Sequence, residues 1–305
     1  MIVALAQIDS AAGDVEANLD KHLEWTQRAI EEGAELIVFP ELSLSGDKLG
    51  PEVPDVGVDR DHEMLDPLRD ISRKIDLVFG LVERGKRNLY NRYNAAFYYA
   101  EGRLLYRHRK LFLVNYAVFE EGKHYVPGNN LQAFETRYGR VCMLLCNDAW
   151  HAVSPYIAAL DAARMMIVPA GSARGTLSDY LEIPETWSHM NRAYSAMMGF
   201  YTIFVNRVGT RLDEHGEFEY WGGSEVIGPR GQEIVKAPYD EEALVFGEID
   251  PQYVAEQRFK APILRDARLW IVRQEINRLA AVRSEEMDGT ADGDTLETDK
   301  PEPIL

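Results

Sequence analysis

Apolar and polar positions follow two different periods along the start of the chain. Ile2 to Ile8 is a nearly unbroken apolar run, which predicts a buried strand. Gly13-Asp14 is a turn ending in a helix N-cap, Leu19, Leu23 and Ile30 recur at helical spacing, and Gly33 suits the C-terminal cap. Leu36-Ile37-Val38-Phe39 is short, fully apolar and closed by Pro40, which predicts a second strand. Strand, helix and strand in that order form the unit of an α/β fold.

The alternation continues downstream. Pro67–Lys74 reads as a helix and Asp76–Val82 as a strand. Three dipeptides, Glu101-Gly102, Tyr138-Gly139 and Arg230-Gly231, each separate two apolar runs and predict hairpins. Ser154–Ala163 and Thr186–Met198 read as helices; Met165–Pro169, Tyr201–Asn206 and Ala243–Ile249 read as strands. Hairpins mixed with helical crossovers imply mixed sheets covered by helices. No Pro/Gly/Ser-rich linker interrupts the pattern, so one domain is expected over residues 1–283, with a C-terminal extension from about residue 252 that contains a long helix. Residues 284–305 carry acidic residues and few large apolar ones, which predicts a disordered or loosely docked tail.

Composition narrows the function. Of 305 residues, 46% are hydrophobic, enough for a sizeable core. A formal net charge of −17 repels a phosphate backbone, so no nucleic-acid partner is expected. No apolar run approaches the roughly 18 residues of a membrane span, and the N-terminus lacks the features of a signal peptide. A cytoplasmic location without membrane contact is therefore expected. The two cysteines, Cys142 and Cys146, are four residues apart. Along a strand that is about 13 Å, beyond the roughly 7 Å between bridged Cα atoms, so no disulfide is expected. No CxxC, HxxxH or HExxH pattern occurs, and no metal site is expected.

Three segments place a reactive side chain just beyond an apolar strand, where α/β proteins collect functional residues. In VFPELSLSG, Glu41 follows a strand and a proline. A carboxylate there costs desolvation energy unless it has a partner. In LLYRHRKLFL, Lys110 lies between two apolar runs and can serve as a fixed cation for an oxyanion. In VCMLLCNDAWH, Cys146 ends an apolar stretch before the Asn147-Asp148 turn, where a thiol can be partly exposed. Cys142, inside the strand, reads as an inert packed thiol. Taken singly, each segment also fits an ordinary structural residue.

Together they resemble the nitrilase superfamily of carbon–nitrogen hydrolases. The resemblance rests on Phe39-Pro40-Glu41, Arg109-Lys110 and Cys146-Asn147-Asp148 in that order. Secondary markers are Gly13-Asp14 with Asn18, Tyr90-Asn91 with Asn94, and Phe119-Glu120-Glu121 before Pro127-Gly128. Asn191-Arg192-Ala193, Val205 to Gly209, Gly223-Ser224 and Pro229-Arg230-Gly231 follow. It covers about residues 1–250. It implies a four-layer αββα sandwich, self-association as a homodimer or larger, and no cofactor. Cys146 would be the nucleophile, Glu41 the base, Lys110 the oxyanion cation and Glu121 a second active-site glutamate, with Glu120 as the alternative. Asn147, Tyr116, Trp187 and Arg174 would shape the substrate site.

Departures concern the substrate. His151-Ala152-Val153 stands where many amidase members have a Pro-Glu pair, and Asn147-Asp148 where nitrile-cleaving members have Trp-Glu. The expected reaction is hydrolysis of a small amide or N-carbamoyl compound through a cysteine thioester. A nitrilase and a stand-alone glutaminase-like amidase are the alternatives. A non-catalytic binding protein of the same fold fits less well, because Glu41, Lys110 and Cys146 are all present.

Overall fold

The computed structural model describes residues 1–47, 49–116, 119–175, 181–213 and 216–287. The first sheet contains β1 (Ile2–Gln7), β2 (Leu36–Val38), β3 (Asp76–Arg84), β4 (Arg92–Ala100) and β5 (Arg103–Arg109). The next stretch supplies β6 (Phe134–Thr136), β7 (Gly139–Met143), β8 (Met165–Ala170), β9 (Ala173–Arg174) and β10 (Tyr201–Asn206). Then come β11 (Val208–Asp213), β12 (Gly216–Trp221), β13 (Glu225–Ile227), β14 (Glu233–Lys236) and β15 (Ala243–Glu248). The helices are α1 (Val15–Glu31), α2 (Asp66–Ile71), α3 (Glu121–His124), α4 (Val153–Leu160), α5 (Ile183–Met198), α6 (Tyr253–Lys260) and α7 (Leu269–Met287).

Two six-stranded sheets run β15-β1-β2-β3-β4-β5 and β14-β13-β10-β8-β7-β6, and β11-β12-β9 form a small third sheet. The chain divides into one compact unit, Met1–Pro262, and a second, Ile263–Leu305. Within the first unit the large sheets meet face to face. Val3, Leu36, Val78 and Tyr98 of one pack with Val141, Met165, Ile203 and Val226 of the other. On its outer face the first sheet buries Phe39, Phe79 and Tyr99 against Trp25 and Ala29 of α1 and Leu68 of α2. α5 covers the second sheet, where Trp187 lies 4.6 Å from Phe204. The result is the four-layer αββα sandwich.

Local signals act as the sequence predicts. Asp14 caps α1 by accepting from Ala17 N–H, and Gly33, at φ +76°, follows its end in the left-handed region. Glu101 and Gly102 both have positive φ (+53° and +76°), so the β4–β5 hairpin turns with the twist of its strands. In the β6–β7 hairpin, Thr136 pairs with Gly139, so the turn is Arg137-Tyr138, one residue earlier than predicted. The third sheet is absent from the sequence reading. Its strands carry mixed, weakly periodic residues, and the two-residue β9 exists only because β12 pairs with it.

The pairing puts the strand ends that matter on one edge. β1, β2 and β3 run parallel, and β5 returns to their direction through β4. β7, β8 and β10 also run parallel. Residues following β2, β5, β7 and β8 therefore gather at neighbouring carboxyl ends.

Of the C-terminal extension, α6 belongs to the first unit and buries Val254. In the second unit, α7 leaves Leu269, Trp270, Ile271, Ile276 and Leu279 exposed. The acidic residues 288–305 lie outside the described residues.

Candidate active site

Glu41 sits on a tight turn after β2 and Pro40, with only 5% of its surface exposed. The turn passes through Leu42 at φ +50°, a conformation an L-residue holds at a cost of about 1–3 kcal/mol. Both carboxylate oxygens are used. Oε1 accepts from Asn94 Nδ2 and Lys110 Nζ, each at 2.8 Å, and Oε2 accepts from the Gly171 N–H at 2.9 Å. Asn94 enters the sequence reading only as a family marker; the structure makes it a donor that fixes Glu41.

Lys110 follows β5 and is 2% exposed. Its N–H donates to the Asn94 carbonyl, and its own carbonyl accepts from Gly128 N–H. The ammonium donates to Glu41 at 2.8 Å and to Glu121 Oε1 at 2.7 Å. Burial works against the ammonium, but attraction to Glu121 and Glu41 outweighs it and holds the lysine pKa well above its ordinary value. Glu121 opens α3 and is braced by Val114 N–H donating to Oε2 at 2.7 Å. Burial raises its carboxyl above the usual range; Lys110 pulls it down, Glu41 pushes it up, and the rise prevails. Glu120, the alternative second glutamate, pairs with Lys123 at 2.5 Å near the surface. Of the two glutamates, Glu121 is thus the one placed against the Lys110 ammonium.

Cys146 opens the short 3-10 turn Cys146–Trp150 after β7, with φ +42°. This left-handed residue turns the chain sharply at the strand end, and the cysteine stays half-buried while Cys142 is fully buried. Both thiols are free. Burial pushes the Cys146 thiol well above its usual range and Glu41 adds to this; Lys110 and the Gly171 N–H pull it down without cancelling the rise. Gly171 N–H donates to the Glu41 carboxylate and also favours the thiolate of Cys146, so both groups face the end of β8. A thiol held neutral in this way requires an adjacent base to become a nucleophile.

The four residues expected at the substrate site are placed differently. Tyr116 OH donates to Asn147 Oδ1 at 3.1 Å, and Asn147 Nδ2 donates to the Phe112 carbonyl at 2.9 Å. Both residues line a cleft of about 540 Å³ with Leu111, Phe112, Tyr125 and His151. His151 stacks on Phe112 at 3.6 Å between ring centres. Trp187 is buried on the inner side of α5 and donates from Nε1 to Ser172 Oγ at 3.0 Å, next to Gly171. Arg174, on β9, is engaged by Asp240 and by Glu219. Neither Trp187 nor Arg174 is on the cleft wall. Among the described residues no cluster of three or more His, Cys, Asp or Glu is placed to hold a metal ion, and no helix is long and apolar enough to cross a membrane.

Asp148 and His108 are the structural surprise. Sequence reading gives Asp148 only as a turn and motif residue and says nothing of His108. Both are buried and joined at 2.7 Å between the lysine-bearing and cysteine-bearing turns.

Several known proteins are similar to this chain. Omega-amidase NIT2-B of Xenopus laevis is 29% identical over 270 residues, covering 85% of this chain and 93% of that protein. The glutamine-dependent NAD(+) synthetase of Acinetobacter baylyi is 26% identical over 263 residues, but this chain spans only 45% of it. An amidase from Nesterenkonia superposes with a TM-score of 0.74 at 25% identity, covering 90% of this chain; one of its solved forms carries the acetamide moiety of fluoroacetamide covalently on the active-site cysteine. A carbon–nitrogen hydrolase of Helicobacter pylori shares the fold at a TM-score of 0.79 and 24% identity. The carbon-nitrogen hydrolase model matches residues 2–259, and the chain belongs to that family.

Proposed function

We propose that the protein is an amidase, cleaving the C–N bond of a small amide or N-carbamoyl compound through a thioester on Cys146. The observation that carries this reading is the buried chain Asn94–Glu41–Lys110–Glu121, whose Glu41 and Lys110 charges act on the Cys146 thiol. In the proposed reaction Glu41 takes the Sγ proton as the thiolate adds to the carbonyl carbon. Lys110 Nζ and the Asn147 N–H hold the oxyanion. Collapse breaks the C–N bond, and the proton on Glu41 passes to the departing nitrogen. Water then attacks the thioester, losing its proton to Glu41. The carboxylic acid leaves, and the proton returns to Cys146. Glu121 positions Lys110, Tyr116 and Asn147 border the substrate, Trp187 acts through Ser172, and Arg174 shapes the rim through Asp240 and Glu219.

Family membership supports the reaction class. A relative named as an omega-amidase, matched along most of its length, and the cysteine adduct of the Nesterenkonia amidase favour an amide over a nitrile. The test is ammonia release from a panel of primary amides, N-carbamoyl compounds, glutamine and nitriles. Turnover of an amide that disappears in Cys146→Ala is the expected result. Turnover of nitriles alone, or none by the wild type, overturns the proposal.

The same reading takes residues 1–283 as the hydrolase domain with its extension, and a cytoplasmic homo-oligomer as the working form. α7 exposes Leu269, Trp270, Ile271, Val272, Ile276, Leu279 and Val282 between charged residues. Large apolar side chains grouped on one exposed element mark an association surface, and a second copy of the chain is the proposed cover.

A further inference from the structure

The carboxylate of Asp148 is fully buried and accepts four hydrogen bonds. Oδ1 takes the backbone N–H groups of Leu111 and Phe112, each at 2.9 Å. These residues directly follow Lys110. Oδ2 takes the N–H of Leu145, the residue before Cys146, at 3.1 Å, and His108 Nε2 at 2.7 Å. A carboxylate can only accept, so Nε2 carries the proton in this pair. His108 itself lies on β5, two residues before Lys110. One side chain thus ties the turn that presents the ammonium to the turn that presents the thiol. Each turn comes from a different sheet, and neither has ladder bonds to the other.

We propose that Asp148, oriented by His108, is a positioning residue that sets the register between Lys110 Nζ and Cys146 Sγ. It touches no reacting atom. It works by holding the Leu111, Phe112 and Leu145 N–H groups around one rigid centre. Catalytic geometry of this kind must be kept within about 0.5 Å, and a displacement of about 1 Å can cost about 100-fold in rate. Buried amide N–H groups also need their acceptor, since an unmatched one has lost its water and gained nothing in exchange. The Asn147 Nδ2 bond to the Phe112 carbonyl supports the same junction, but it fixes only the outer side of the lysine turn. The inference rests on the roles proposed above for Cys146 and Lys110.

The substitution Asp148→Asn keeps the size and replaces one acceptor oxygen with a donor facing N–H groups. Two readouts separate positioning from mere folding. The first is kcat per active site, counted by thiol titration of Cys146. The second is the rate of Cys146 alkylation by iodoacetamide, which needs no substrate and senses Lys110 beside the thiol. Asp148→Asn is expected to lower kcat per site at least about tenfold with KM changed less than about threefold. It is also expected to slow alkylation at pH 8 and shift its pH profile upward, because the ammonium no longer supports the thiolate. Where that variant does not fold, His108 carries the test. His108→Gln can still donate to Asp148 and should keep at least half the wild-type rate; His108→Phe cannot donate and should lose at least about fivefold. Wild-type values per titrated thiol in Asp148→Asn, even with a lowered melting temperature, overturn the proposal, as do equal rates in the two His108 variants. Inactivity of the wild type on every amide would instead overturn the amidase reading, and the alkylation arm would still judge the positioning role.

Discussion

At the scale of single residues, environment divides chemically equal groups. Cys142 and Cys146 are the same side chain four positions apart. Cys142 is sealed in β7, and burial pushes its thiol up to about 12. Cys146 is lifted onto a strained turn beside a carboxylate and an ammonium. Cys146→Ala should abolish amide turnover with a near-wild-type melting temperature, while Cys142→Ala should keep kcat within about twofold; retained turnover in the first variant would contradict the nucleophile assignment. Glu41→Gln should cost about 10²–10⁴-fold in kcat and Lys110→Ala about 10²–10³-fold; losses under tenfold would remove those roles. Lys110→Ala has a second consequence. It leaves two buried carboxylates facing each other without a cation, at a cost of about 3–5 kcal/mol. Burial already raises the Glu121 carboxyl and Lys110 pulls it down; without the lysine the rise grows, so the stability this group contributes is present at low pH and lost as pH rises. Denaturant unfolding should therefore show a larger deficit for this variant at pH 8 than at pH 5, and a pH-independent deficit would contradict the charge argument.

At the scale of elements, the active turn after β2 leans on α1. His22 of α1 is fully buried, stacked on Phe39 at 4.1 Å between ring centres. Its Nδ1 lies 2.6 Å from the Asn18 carbonyl and must donate there, so Nε2 accepts from Ser43 Oγ at 2.9 Å. Ser43 in turn accepts from Gly80 N–H of β3. Burial lowers the His22 pKa to about 4 from 6.5. The unfolded chain therefore binds a proton below pH 6.5 that the folded chain refuses until about pH 4. Stability from this group is complete above pH 6.5, declines as pH falls from 6.5 to 4, and is flat below. The difference of about 2.5 units corresponds to about 3 kcal/mol. Urea unfolding from pH 7 to pH 4 should show this slope in the wild type and a shallower one in His22→Gln; equal slopes would show that His22 is not its source.

At the scale of the whole molecule, exposed apolar surface bears on association. Each chain is 34.6 kDa. Monomers rarely expose large apolar patches, and the second unit, with Ile263 and α7, exposes several large apolar side chains. Light scattering should give a mass at least twice that of one chain. Truncation after Pro262 should yield monomer or aggregate, while truncation after Arg283 should preserve both mass and activity. A monomeric full-length protein would rule out the obligate oligomer.

Much of this fold was legible because it is local. Leu36 to Phe39 reads as a buried strand without any partner in view, Asp14 caps α1 with its own side chain, and Glu101-Gly102 suits a tight turn by backbone preference alone. The candidate residues were legible for a related reason: Glu41 and Cys146 each follow a strongly apolar run, so the strand that exposes them can be seen in the same few residues, while Lys110 follows the more polar β5. Their convergence was not legible from spacing, because Glu41 and Lys110 are 69 positions apart and meet only through sheet order. Sequence likewise named Glu121 only through the family resemblance, with Glu120 as the alternative; that Glu121 is the one facing the Lys110 ammonium is a tertiary contact. The third sheet, the Gly171 N–H, and the Asp148 acceptor for three backbone N–H groups exist only as tertiary contacts. A backbone donor or a buried carboxylate has no signature in the sequence, since its role is set by what the fold brings within about 3 Å of it.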